Sequence, residues 1–217
     1  MTHYNAQVIP LPPKILQSSK GKTITPEVFE AILIVNAKKY DAMAYAFIVY
    51  DFNNPSIRKV LNDKHYLQDL DQLTGKYISL FYINSQEKKY KNNLRYPILS
   101  PFVKANELLR QQFCIDANLE TPFVIFFQVD DDKIIEHFII KLKGEKIEES
   151  YFEFRNNLRD AVKSLKHVTK ENLQNRKEIF ELLVTELRSA KFYKFIGKKI
   201  IAKMGVGTLI SFVKAFF

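Results

Sequence analysis

Residues 121–143 constrain this chain more than any other stretch. They read Thr-Pro-Phe-Val-Ile-Phe-Phe-Gln-Val, then Asp-Asp-Asp, then Lys-Ile-Ile-Glu-His-Phe-Ile-Ile-Lys-Leu-Lys. Phe123 to Val129 is a short run of β-branched and aromatic residues, which suits a strand covered on both faces. Asp130, Asp131 and Asp132 supply turn chemistry, because short carboxylates bond their own backbone and tolerate unusual dihedrals. Ile134 to Leu142 then predicts a returning strand. Pro122 stands at the start of the first strand, where its missing N–H harms a ladder least.

The flanking sequence alternates strand and helix patterns. Val8-Ile9-Pro10-Leu11-Pro12-Pro13 excludes a helix and limits any strand to a sheet edge. Thr25-Pro26-Glu27 predicts a helix start, with Thr as cap and Pro in the first position, running to about Lys39. Ala44 to Phe52 predicts a central strand. Asn53-Asn54-Pro55 stops it and opens a helix over 55–62, with a second piece through Leu67, Leu70 and Leu73 that ends at Gly75. Lys76 to Asn84 predicts another strand, and Ser100-Pro101 another helix carrying Phe102, Leu108, Leu109 and Phe113. After the hairpin, Ser150 and Glu153 form a capping-box pattern ahead of Phe154, Leu158, Ala161, Val162 and Leu165. Thr169 is the expected cap of a last helix that presents Leu173, Phe180, Leu183, Val184 and Leu187 on one face.

Of the 217 residues, 47% are hydrophobic, including 18 Phe and 11 Tyr, so a sizeable core is available. The single cysteine, Cys114, excludes an internal disulfide and a Cys-x-x-Cys site, and it points to a reducing, cytoplasmic setting. The N-terminus lacks the basic-then-apolar layout of a signal peptide. Charge is uneven. Residues 191–217 hold six lysines and no acid, leaving +3 of the net +9 for the first 190 residues.

From Ala44 onward the order is strand, helix, strand, helix, strand, strand, helix. Over about residues 25–167 this order resembles the thioredoxin fold. The resemblance implies an α/β fold with a thioredoxin-like mixed sheet flanked by helices, here with additional C-terminal helices. It implies a cis peptide at Thr121-Pro122 and a peptide-binding groove beside it. It also places the family's redox motif at Asn53-Asn54-Pro55-Ser56, where Asn53 and Ser56 stand in for the two cysteines. Thiol–disulfide exchange needs an attacking thiolate and a resolving thiol, and neither residue can supply one. Asp51 matches the buried acid of the family's first strand only weakly. The resulting layout is an N-terminal extension (1–24), a thioredoxin-like domain (25–167) and a helical C-terminal extension (168–217).

Other constellations are bland. Asp130–Asp132 with His137 could offer metal ligands, but solvated turn residues are the favoured reading, and His3, His65, His137 and His167 show no metal-ligand spacing. Cys114 could be a lone reactive thiol; a small buried hydrophobe is favoured, since nothing basic adjoins it. Ser56 reads as a first-turn serine, not a nucleophile. No cofactor motif is present. The expectation is therefore a redox-inactive, non-enzymatic interaction module, with a protein partner or self-association.

The tail supplies the main alternative. On a helix Lys199, Lys203 and Lys214 share a side, and Ile201, Leu209, Phe212 and Phe216 cluster roughly opposite. With Lys194 and Lys198 they make a basic, partly amphipathic segment that can contact a partner or an anionic membrane surface. Packing on protein is favoured over the membrane surface, and a spanning segment is disfavoured. A weaker alternative is single-stranded nucleic acid on the basic and aromatic residues of 85–99 (Lys88, Lys89, Tyr90, Lys91, Arg95, Tyr96), although a solvated loop is the favoured reading there.

Overall fold

The computed structural model describes residues 8–11, 25–40, 42–51, 55–83, 101–142, 147–168 and 174–201. The described strands form one five-stranded mixed sheet, and six helices accompany them. In chain order the elements are β1 (Val8–Leu11), α1 (Pro26–Tyr40), β2 (Ala44–Val49), α2 (Pro55–Asn62), α3 (Lys64–Thr74), β3 (Ile78–Ile83), α4 (Pro101–Gln112), β4 (Phe123–Asp130), β5 (Lys133–Lys141), α5 (Ile147–Leu165) and α6 (Arg176–Ile201). The sheet order is β1-β3-β2-β4-β5. β1, β3 and β2 run parallel, whereas β4 is antiparallel to β2 and β5 to β4.

Strand periodicity sorts the core onto two faces. Ala44, Ala46, Ile48 and Tyr50 point to one side with Ile78, Leu80, Tyr82, Val124 and Phe126. There they meet α2, α3, α5 and α6 through Val60, Leu70, Leu158, Ile179 and Leu183. Tyr45, Phe47 and Val49 point to the other side, where Phe29 and Leu33 of α1 and Leu108 and Leu109 of α4 cover them. β2 is central and all six of its residues are buried, as its unbroken apolar run predicts. β1 lies at the sheet edge, where a strand carrying Pro10 is tolerated, so the sheet reaches N-terminal of residue 25.

Several local expectations match the observed ends. The Thr25 hydroxyl accepts from the Val28 N–H (3.5 Å) at the start of α1. Gly75 closes α3 at φ 46°, a backbone region that suits glycine. The hairpin turns at Asp131, whose φ is 51°, and Asp130 pairs with Lys133.

Other ends differ. α5 starts at Ile147, so Ser150 lies within its first turn and not at its cap. α6 starts at Arg176 with the Asn175 side chain accepting from the Glu178 N–H (3.2 Å); Thr169 and Leu173 lie outside the described residues. The change of composition at residue 190 leaves no mark on the backbone, because α6 continues through it to Ile201.

Candidate functional site

The start of β4 is positioned by its place in the sheet. Phe123 pairs with Val49, the last residue of β2, so Thr121 and Pro122 lie at the end of the sheet from which the chain leaves β2 toward α2. The Thr121-Pro122 peptide bond is cis. Pro122 is buried and Thr121 is half-buried.

Three neighbours fix this corner. The Pro122 carbonyl accepts from the Leu142 N–H (3.0 Å), beyond the end of β5. Lys141 reaches Glu120 (2.8 Å), and that bond holds the Glu120 carboxyl below the usual carboxylate range. From α4, the Arg110 guanidinium donates to the carbonyls of Asp116 (2.7 Å) and Leu119 (2.5 Å) and lies 5.3 Å over the Phe123 ring. A planar cation with several donors can hold two carbonyls and a ring face at once, which a lysine could not. On the β2 side, the buried Tyr50 hydroxyl donates to the Ile83 carbonyl (2.6 Å), and the Asn106 amide of α4 donates to the Tyr50 carbonyl (3.3 Å). The contacts from Arg110, Tyr50 and Asn106 were not legible in the sequence, because their acceptors are backbone carbonyls, which carry no residue signature.

The other expected site residues fare unevenly. Pro55 and Ser56 belong to the first turn of α2, with side chains outside the description, and Asn53 and Asn54 lie outside the described residues. Asp51 is exposed and beyond the end of β2, so it does not take the buried position considered for it. Cys114 is also exposed, a correction to the expected small buried hydrophobe. It occupies a left-handed position (φ 48°) just past α4. There Ile115 N–H returns to the Arg110 carbonyl (2.8 Å) and Cys114 N–H to that of Gln111 (3.3 Å). This paired return is the Schellman arrangement, and it turns the side chain of the left-handed residue outward. Lys194, Lys198 and Lys199 are on the α6 backbone with undescribed side chains, and Lys203, Phe212, Lys214 and Phe216 lie outside the described residues, as do residues 85–99.

The aspartates of the hairpin do not meet His137. Asp132 pairs with Lys38 (2.6 Å), and His137 lies opposite Phe127 with its ring 5.4 Å from that of Phe113. No group of three metal-ligating side chains occurs among the described residues. At that end of the sheet, remote from Pro122, a polar cavity of about 270 Å³ is lined by Lys38, Tyr45, Val129, Asp130, Asp131 and Arg176. Arg176 also donates to the Ala42 carbonyl (2.9 Å), and the buried Gln128 amide donates to the carbonyls of Met43 (2.7 Å) and Arg176 (3.2 Å).

One ionic cluster was not foreseen. Asp69 of α3 receives the Arg155 guanidinium on both oxygens (2.5 and 3.1 Å) and the Tyr151 hydroxyl (2.5 Å) from α5. The Arg155 bond lowers the Asp69 pKa, while burial and the carboxylate push the Tyr151 hydroxyl up. The Tyr151 ring also meets that of Tyr66 of α3 edge-on (4.5 Å between centroids), so the cluster reads as a structural clasp between α3 and α5.

Among the described residues no helix is long and apolar enough to cross a membrane. No protein-family model, curated protein or solved structure matches the chain.

Proposed function

We propose that this chain is a thioredoxin-like, redox-inactive module that binds an extended segment of a protein partner in the groove beside Thr121 and Pro122. The observation that carries this reading is the cis Thr121-Pro122 bond set against the end of the central strand. The mixed sheet and the helices on both its faces support it, being what the thioredoxin resemblance implies. The corner is tied to α4 and β5 before any ligand arrives. Such preorganisation lowers the ordering cost of binding. An extended peptide recognises such a corner through its main chain and gains selectivity from alternate side chains. Catalysis is not part of the reading, since the only thiol is Cys114, on the loop between α4 and β4.

The decisive experiment compares partner capture by the native chain and by Thr121→Arg, with Lys163→Glu on the exposed side of α5 as control. Thr121→Arg is expected to lose the captured protein and Lys163→Glu to keep it. Retention by Thr121→Arg overturns the groove. The native chain is also expected not to accelerate dithiothreitol-driven insulin reduction, whereas Asn53→Cys combined with Ser56→Cys is expected to do so. Activity in the native chain sinks the redox-inactive assignment.

A second reading rests on the lysine-rich, acid-free segment 191–217. It is contact with anionic membranes. Co-sedimentation with vesicles containing phosphatidylserine tests it. Binding that survives removal of residues 191–217 excludes the tail.

A further inference from the structure

Four elements converge at the end of the sheet remote from Pro122. Lys38 comes from the last turn of α1, Tyr45 from β2, Val129, Asp130 and Asp131 from the hairpin, and Arg176 from the start of α6. Together they line the cavity of about 270 Å³. Buried polar bonds hold these elements in place. The pairing of β4 with β5 shifts register between Gln128 and Val129, and the Val129 N–H is accepted by the Gln128 side-chain oxygen (3.0 Å). The nitrogen of the same amide donates to the carbonyls of Met43 and Arg176, and the Arg176 guanidinium donates to that of Ala42. Gln128 is fully buried, so these bonds form in a low-dielectric setting and set the cavity's shape before any ligand arrives. A break in a strand ladder is a common device for aiming side chains at a site.

We propose that this cavity binds a small zwitterion with the chemistry of a free amino acid, its ammonium on Asp130 and Asp131 and its carboxylate on Arg176 and Lys38. The charge layout selects that class. The lining cations come from the two helices and the lining carboxylates from the hairpin turn. A simple anion would bring its charge against Asp130 and Asp131, and a simple cation against Lys38 and Arg176. A molecule carrying both signs is matched on both sides. Neither the Asp130 nor the Asp131 carboxylate has a hydrogen bond or ion pair among the described residues, whereas Asp132 beside them holds Lys38 (2.6 Å). A guanidinium has several donors in a planar fork, so Arg176 can keep the Ala42 carbonyl and also meet a ligand carboxylate.

Size points the same way. At about 30 Å³ per water, the cavity holds roughly nine waters, the place of about as many non-hydrogen atoms of a ligand. That fits a free amino acid and falls just below the volumes of sites for drug-sized molecules. Buried Tyr45 and Val129 give the ligand's carbon atoms an apolar wall, and the Tyr45 ring is itself held against that of Phe127 (5.6 Å). Lys38, Asp130 and Asp131 are exposed, so water competes for the charged groups. Affinity is therefore modest, with a dissociation constant on the order of 0.1–1 mM. This inference does not depend on the groove reading, and its test does not touch Thr121.

Nuclear magnetic resonance of the isotope-labelled full chain gives the test. Each common L-amino acid is titrated in turn to about 10 mM while the backbone amide signals are followed. At least one should shift the amides of Val129, Asp130 and Asp131 saturably. The amine and the acid that each carry only one of its two charged groups should bind about tenfold more weakly or worse. Asp131→Asn removes a charge and keeps the side-chain shape, and asparagine also tolerates the left-handed backbone found there (φ 51°). It should weaken binding by roughly tenfold, and Lys163→Glu on α5 should bind as the native chain does. Should Asp131→Asn disturb the wider spectrum, Lys38→Gln provides the same readout from the other side of the cavity, with a several-fold loss expected. No saturable shift at these amides with any amino acid overturns the proposal, and so does binding that both variants leave intact. Equal binding of the single-charge amine or acid overturns the zwitterion class.

Discussion

At the scale of single residues, Cys114 shows how position in a turn overrides residue type. Phe113 and Ile115 on either side are buried, so the local sequence reads as one apolar run. The backbone at Cys114 is left-handed, and that geometry swings its side chain to solvent. A side chain bearing a Cβ is strained there, and glycine is not. Cys114→Gly is therefore expected to stabilise the fold by about 0.5–1 kcal/mol, offset in part by the greater freedom glycine gives the unfolded chain. Urea denaturation at equilibrium measures it. A loss of stability would mean that the thiol packs more than its exposure suggests.

At the scale of elements, legibility followed the range of the signal. Caps and periodicity act within a few residues, so α1, α2 and the hairpin emerged with nearly their observed bounds. Ser150 and Glu153 misled because an i, i+3 pair inside a helix has the same spelling as a capping box. The candidate groove was legible only as a proline before a strand. Its supports, Arg110, Asn106 and the Leu142 N–H, act on backbone atoms that no residue pattern marks. The α3–α5 clasp was equally hidden, since Asp69 and Arg155 are far apart in sequence.

That clasp makes a pH prediction. Asp69 titrates lower in the folded chain than in the unfolded one. Its contribution is thus complete above the unfolded carboxyl range near pH 4, and it fades as pH falls through the lower folded value. Asp69→Asn should cost about 1 kcal/mol at pH 7, kept small by the partial exposure of the pair. The gap between variant and native chain should narrow below pH 4 in urea titrations. A gap independent of pH would show that shape, not charge, holds the two helices.

At the scale of the whole molecule, α6 belongs to the same core as the sheet. Ile179, Phe180, Leu183 and Leu187 are buried among residues of β2, β4 and α5. Arg176 and Gln128 also bind the start of α6 to the segment entering β2. A chain ending at Val168 should lose cooperative thermal unfolding and bind a hydrophobic dye, since four large apolar side chains would leave one face of the sheet. A chain ending at Ala190 should retain both cooperativity and a melting temperature within a few degrees of the native one. A sharp transition in the shorter chain would show that α6 is an accessory.

The bond from Arg176 to Ala42 also sets a timetable for synthesis. β2 is made early, yet a helix that covers it is completed only when Leu187 has been added. At roughly 5–20 residues per second, the interval from Tyr50 to Leu187 lasts on the order of ten seconds. For that time the ribosome carries a fully apolar strand without its final cover. Chains stalled before Ile179 are therefore expected to bind a hydrophobic dye that the finished protein excludes.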